Sequence, residues 1–188
     1  TELVADTGRR VGDLRLSSEA DTAHIIEKFG RGATVESNAL GFHQAFSLVA
    51  REQHDEVAVV DRQGSLTFGA LEQSAAALGR TLIRRGIKSG DVVAICLPRC
   101  RELLVSILGT LKVGATYLPI DSKYPAERVQ FMVADSSAAV VIGEKAALEA
   151  LAIDAARRLD VSQLETDAED IVGLPHDTVV SSAMVAYL

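Results

Sequence analysis

The sequence predicts an α/β fold, a mostly parallel sheet flanked by helices. Three observations carry that expectation. Apolar runs of strand length alternate with amphipathic stretches of helical length from Val92 onward. Two of those runs, Val92-Val93-Ala94-Ile95-Cys96-Leu97 and Ala138-Ala139-Val140-Val141-Ile142, are apolar without alternation, as strands covered on both faces must be. The chain of 188 residues is 48% hydrophobic and 24% charged, enough apolar side chain to build a substantial core.

Residues 1 to 40 are polar and glycine-punctuated and read as an interdomain linker. Within it, Ser18 to Phe29 is amphipathic, with Ala23, Ile26 and Phe29 able to share a helical face. From Gly41 the apolar pattern tightens. Phe42, Phe46 and Val49 fall at i, i+4 and i+7, which is helical spacing. Glu56 to Asp61 reads as a strand, Arg62-Gln63-Gly64 as a turn and Ser65-Leu66-Thr67 as the returning strand of a hairpin.

Thr67 is placed to cap a helix whose Leu71, Ala75, Leu78 and Leu82 repeat at helical spacing, and Arg84, Arg85 and Gly86 supply its terminus. After the Val92–Leu97 strand, Pro98 breaks the chain. The next helix places Leu103, Leu104, Ile107, Leu108 and Leu111 on one side and is broken by Gly114. Thr116 to Asp121 is a short strand, and Pro125 opens a helix to about Asp135. The Ala138–Ile142 strand follows, then one or two helical turns from Lys145 to Leu151. Residues 154 to 178 are acidic and read as a solvated loop, with Glu165-Thr166-Asp167-Ala168-Glu169-Asp170 as the densest run. Ala183 to Leu188 is strand-like and has no turn or polar tail after it; with Thr1 in place of methionine, this predicts a chain cut at both ends.

Several chemistries are excluded by local pattern. The 26 acidic and 19 basic residues give a formal charge of -7 without a basic block, which argues against a nucleic-acid partner. No apolar run reaches the roughly 18 residues of a membrane span, and the N-terminus lacks the shape of a signal peptide, so a cytoplasmic protein without a membrane partner is expected. Cys96 and Cys100 have no second pair and no neighbouring histidine, so two reduced thiols are expected rather than a zinc site. Histidines 24, 43, 54 and 176 form no metal-binding spacing. Gly86-Ile87-Lys88-Ser89-Gly90 has phosphate-loop residue types, but it leaves a helix and enters a strand, the reverse of the order such a loop needs.

The ordered segments resemble the N-terminal part of a nonribosomal peptide synthetase adenylation domain, of the acyl-adenylate-forming, AMP-binding enzyme family. Leu66-Thr67-Phe68-Gly69-Ala70-Leu71 is similar to the family's first core motif. Leu111-Lys112-Val113-Gly114-Ala115-Thr116-Tyr117-Leu118-Pro119-Ile120-Asp121 is similar to its longer and more specific second motif. Phe68 stands where tyrosine is usual, and Ala70 where glutamate is usual. The resemblance implies the N-terminal subdomain of that fold over 41–188, incomplete at the C-terminus before the phosphate-binding loop. It also implies that residues 1 to 40 join an upstream condensation domain.

For the complete domain the resemblance implies a ligase that uses ATP and Mg2+ to adenylate an amino or related carboxylic acid, then passes the acyl group to phosphopantetheine on a carrier domain. For this chain alone it implies no cofactor, no catalytic, cofactor-binding or metal residue, and no activity without the remainder of the adenylation domain. The motif positions Leu66, Thr67, Leu71, Leu111, Lys112, Gly114, Tyr117, Leu118, Pro119 and Asp121 are expected to be structural. Tyr117 and Asp121, near a strand's C-terminal end, are the better functional candidates among them. The rival expectation is a naturally truncated adenylation remnant serving as a structural or docking module.

The Ala70 departure has a physical consequence. A Thr-x-x-Glu capping box satisfies two helix N-terminal amides reciprocally, and here only the threonine half remains. Ala70→Glu is expected to stabilise the chain by on the order of 1 kcal/mol, read as a higher melting temperature; an unchanged or lower value would refute the incomplete-box account.

Overall fold

The computed structural model describes residue 8, residues 17–30 and residues 40–163. The chain divides into two compact units, Thr1–Asn38 and Ala39–Leu188. The acidic run at 165–170 and the strand expected at 183–188 lie outside the described residues.

In the first unit, helix α1 (Glu19–Lys28) starts at a complete capping box: Ser18 Oγ accepts from the Asp21 amide at 3.0 Å, and Asp21 Oδ2 accepts from the Ser18 amide. The Ser18 hydroxyl, then its amide, holds the Asp21 carboxyl below its ordinary range. No α1 residue is buried, and Ile25, Ile26 and Phe29 are exposed.

The second unit runs α2 (Phe42–Glu52), β1 (Val57–Asp61), β2 (Gly64–Thr67), α3 (Phe68–Arg84), β3 (Val92–Cys96), α4 (Arg101–Lys112) and β4 (Thr116–Pro119). It continues with α5 (Ala126–Asp135), β5 (Val140–Gly143), α6 (Lys145–Ala150) and the three-residue β6 (Arg158–Asp160). β1 and β2 form an antiparallel hairpin; the other four strands form a parallel sheet in the order β4-β3-β5-β6. This is the predicted α/β architecture, a parallel sheet with helices on its faces.

Alternation along the sheet explains how both faces are filled. Val93 and Ile95 of β3, with Val140 and Ile142 of β5, join Leu71, Ala75, Leu78 and Leu82 of α3 and Leu108 of α4 in one core. Ala94, Cys96 and Val141 point the other way, into a second core with Val129 and Val133 of α5 and Leu148 of α6. A strand with this composition leaves no face for water. Thr67 caps α3 as expected, its Oγ1 accepting from the Ala70 amide at 3.2 Å. Pro125 occupies the N-cap of α5 rather than its first helical position, which equally wastes no amide.

Two helices bury faces that their apolar spacing alone does not mark. On α2, Phe42 and Val49 are exposed at 66% and 37%, while His43 and Ala50 are buried and Phe46 is half-buried against the core. On α4, Leu104 is exposed at 38%, and the buried side is made of Val105, Ser106, Leu108, Gly109, Thr110 and Lys112. The reason is the close approach of α3. A Cβ on Gly109 would lie 2.8 Å from Leu78 Cδ2 and 2.9 Å from the Ala75 carbonyl oxygen, so only glycine fits at that point of the seam. Ser106 and Thr110 satisfy their hydroxyls on their own helix, donating to the carbonyls of Glu102 and Ser106 at 2.7 Å.

The hairpin is tied to α4 by one ion pair. Arg101 donates from Nε to Asp61 Oδ2 at 2.9 Å and from its terminal nitrogen to Oδ1, and its amide also donates to Oδ2. This bidentate arrangement holds the Asp61 carboxyl far below the ordinary carboxylate value of 3.8. A folded value below the unfolded one stabilises the fold above about pH 4 and is lost as pH falls. Acid titration of the unfolding free energy between about pH 6 and about pH 3 is therefore expected to be steeper for the native chain than for Asp61→Asn; identical slopes would exclude the tie.

Candidate functional site

In an open parallel sheet, ligands collect beyond the strand C-termini, where neighbouring strands send their connections to opposite faces. Here that place lies between β3 and β5. The chain leaves β3 into α4, on the first core's side, and leaves β5 into α6, on the second's. Cys96 of β3 is level with Gly143 of β5, and a Cβ on Gly143 would meet the Cys96 carbonyl oxygen at 3.1 Å.

The groups at this edge are thiols and carboxylates, with the cations Lys145 and Arg158 beside β6. Burial, then the Asp121 carboxylate, pushes the Cys96 thiol up; burial, then a hydrogen bond with Glu102, pushes the Cys100 thiol up. Neither is disposed to act as a thiolate nucleophile. Asp121, just past β4, is exposed and turns back to accept from the Lys123 amide at 2.9 Å. Asp160 at the end of β6 accepts from the Ser162 amide and hydroxyl; these bonds hold its carboxyl below the ordinary range, although desolvation, the largest influence on it, acts upward. A cavity of about 210 Å3 lies beside β6, lined by Arg85, Lys145, Leu148, Glu149, Arg158 and Asp160 among others. Among the described residues no three His, Cys, Asp or Glu side chains stand together as a metal site. Among the described residues at this edge, Asp121 and Asp160 carry negative charge.

The motif residues are spread through the unit. Leu66 and Thr67 end β2, Leu71 is buried in α3, and Leu111 and Lys112 end α4. Gly114, at φ +72, makes the turn into β4, a conformation glycine adopts without strain. Tyr117, Leu118 and Pro119 lie in β4, with Tyr117 packed against the first core.

Lys112 is the surprise among them. It is 8% exposed, and its Nζ donates to Glu72 Oε1 at 2.6 Å and to Ser47 Oγ at 2.9 Å. Ser47 Oγ donates in turn to Glu72 Oε1, at 2.8 Å. Glu72 Oε2 is buried without a partner among the described residues. His43 completes the group: burial and the Lys112 cation hold its imidazole below 6.5, against a smaller upward pull from Glu72. The cluster therefore joins α2, α3 and α4 through one buried cation. Residue spacing places Lys112 correctly at a helix end and says nothing of its partners. Its position, four residues after the buried Leu108, is the signal in the sequence that it lies on the buried stripe.

The AMP-binding enzyme family model matches residues 46–183. The chain belongs to the AMP-binding enzyme family. Among curated relatives of this AMP-binding chain, a linear gramicidin synthase from Brevibacillus parabrevis is 37% identical over 156 residues, covering 83% of this chain and 3% of that protein. Chondramide synthase cmdD of Chondromyces crocatus is 34% identical, over 86% of this chain and 4% of that protein. The chain thus spans a few per cent of these relatives' length. Its fold matches the N-terminal subdomain of Klebsiella oxytoca NpsA with a TM-score of 0.66 at 23% identity, covering 78% of this chain and 37% of that one. It also matches holo-AB3403, a four-domain nonribosomal peptide synthetase bound to AMP and glycine, with a TM-score of 0.66 at 27% identity, over 87% of this chain and 12% of that one. No helix among the described residues is long and apolar enough to cross a membrane.

Removing one partner of a buried ion pair strands the other. Lys112→Met is expected to destabilise the AMP-binding chain by on the order of 3 kcal/mol, and adding Glu72→Leu to restore part of that loss. Denaturant unfolding of both single variants and the double checks this; additive losses would show that the pair is not coupled.

Proposed function

We propose that residues 41–188 are the front portion of a peptide synthetase adenylation domain, contributing scaffold to an ATP-dependent ligase, and that residues 1–40 are the linker from a condensation domain. The observation that carries this reading is the family match over 46–183, together with relatives that are peptide synthetases and a fold like the NpsA N-terminal subdomain. The complete domain would use ATP and Mg2+ to convert the carboxylate of an amino or related acid into an acyl-adenylate, releasing pyrophosphate. It would then transfer the acyl group to the phosphopantetheine thiol of a carrier domain.

The part played by this chain follows from its chemistry. Adenylation requires triphosphate, metal and carboxylate held in line, with the developing charge neutralised. The described residues supply a rigid two-faced sheet and hairpin, and no phosphate cradle. A Thr-Ser-Gly-rich loop of the kind that holds ATP phosphates in this family does not occur in residues 1 to 188. The segment's contribution is to position what the remainder of the domain brings, with Asp121 and the 97–100 connection at the edge where such groups would meet.

Amino-acid-dependent exchange of pyrophosphate into ATP tests the proposal. Residues 1–188 alone are expected to give no exchange above background, while the same residues substituted for the matching stretch of a linear gramicidin synthase adenylation domain are expected to support it. Exchange by residues 1–188 alone would overturn the scaffold reading.

A further inference from the structure

We propose that α2 is held on α3 and α4 by a polar latch that opens in mild acid, with His43 as its proton sensor. The helix has little apolar attachment of its own. Of its residues only His43 and Ala50 are buried, and Phe42, Leu48 and Val49 face outward. Phe46 adds one ring contact, 5.8 Å from the Phe68 ring. The rest of the attachment is polar: Ser47 donates to Glu72 of α3 and accepts from Lys112 of α4.

His43 sits against this cluster at 7% exposure. It feels the charge of Glu72 from α3 and of Lys112 from α4, the two residues that Ser47, one turn further along α2, bonds directly, while a Cβ on Gly41, just before its own helix, would lie 3.2 Å from its Cε1. Glu72 is already paired with Lys112, so the docked cluster is near neutral when the imidazole is uncharged. A proton on His43 adds a second buried cation with its compensating anion already engaged. Released α2 returns the imidazole to water, where it takes a proton near its ordinary value of 6.5.

The sign follows. Docked His43 binds a proton less readily than released His43, so docking is unaffected above about pH 6.5 and weakens below it, by about tenfold per pH unit until the docked imidazole itself titrates. Mild acid should therefore free α2 while the parallel sheet, which carries no such group in its cores, stays closed.

Amide hydrogen exchange of the 188-residue chain, compared at about pH 7.5 and about pH 5.5 after correction for intrinsic exchange rates, reads this directly. Protection across residues 42–52 is expected to fall, by up to about tenfold, relative to β3 and β5, and His43→Gln is expected to remove that pH dependence. In the native chain the His43 imidazole resonances should titrate below 6.5, the ordinary value for an imidazole, which decides the matter even if the variant folds poorly. Equal α2 protection at both pH values would overturn the latch, as when a protonated His43 pairs with the free Glu72 Oε2. So would an undiminished pH response in His43→Gln, or a His43 imidazole titrating at or above its ordinary value of 6.5.

Discussion

A strand that is apolar on both faces can be buried only if both faces are covered, and β3 imposes that condition on the whole second unit. Val93 and Ile95 require one helical layer, and Ala94 and Cys96 require another. The crossover helices are the available cover: α4 returns the chain on one side and α5 and α6 on the other. Because β3 is interior to the order β4-β3-β5-β6, its two edges are also satisfied. The reversal of connections beside its C-terminal end is a by-product of sending successive helices to opposite faces.

Against that apolar background the Lys112 cluster is costly and specific. A buried ammonium needs partners of good geometry, and here they come from two other helices. The apolar seam between α3 and α4 sets how close the helices stand, through Gly109 and Leu78. The polar cluster adds what apolar packing does not supply, a preference for one position of α2 along that pair. Membership of the AMP-binding family rests partly on the motif that contains Lys112, so the most recognisable stretch of sequence is also the one that fastens three helices.

The legible parts of the fold are those in which one local pattern decides the outcome. Leu71, Ala75, Leu78 and Leu82 are buried as their spacing requires, Thr67 caps its helix, and the continuous apolar runs are central strands. The less legible parts are helices with more than one plausible face. In α4 the leucines outnumber the positions that the core can take, and in α2 the phenylalanine and valine whose spacing suggests burial are turned outward. In both cases a neighbour decided: α3 leaves no room for a side chain at Gly109, and the Glu72–Lys112 pair draws Ser47 inward. Ion pairing across 40 residues of chain leaves no periodic trace in sequence.

By itself, then, the sequence determined the alternation of strands and helices, the two-sided burial of β3 and β5, and a family resemblance resting on ordered motifs. These are consequences of residue spacing and composition, which act over a few neighbouring positions. Only the tertiary structure decided which face of α2 and α4 is inward, that Lys112 is buried with Glu72, Ser47 and His43, and that Asp61 fastens the hairpin to α4. The physical reason is that burial of a charge or a close helix contact depends on a partner far away in sequence, and the partner is chosen only when the elements pack.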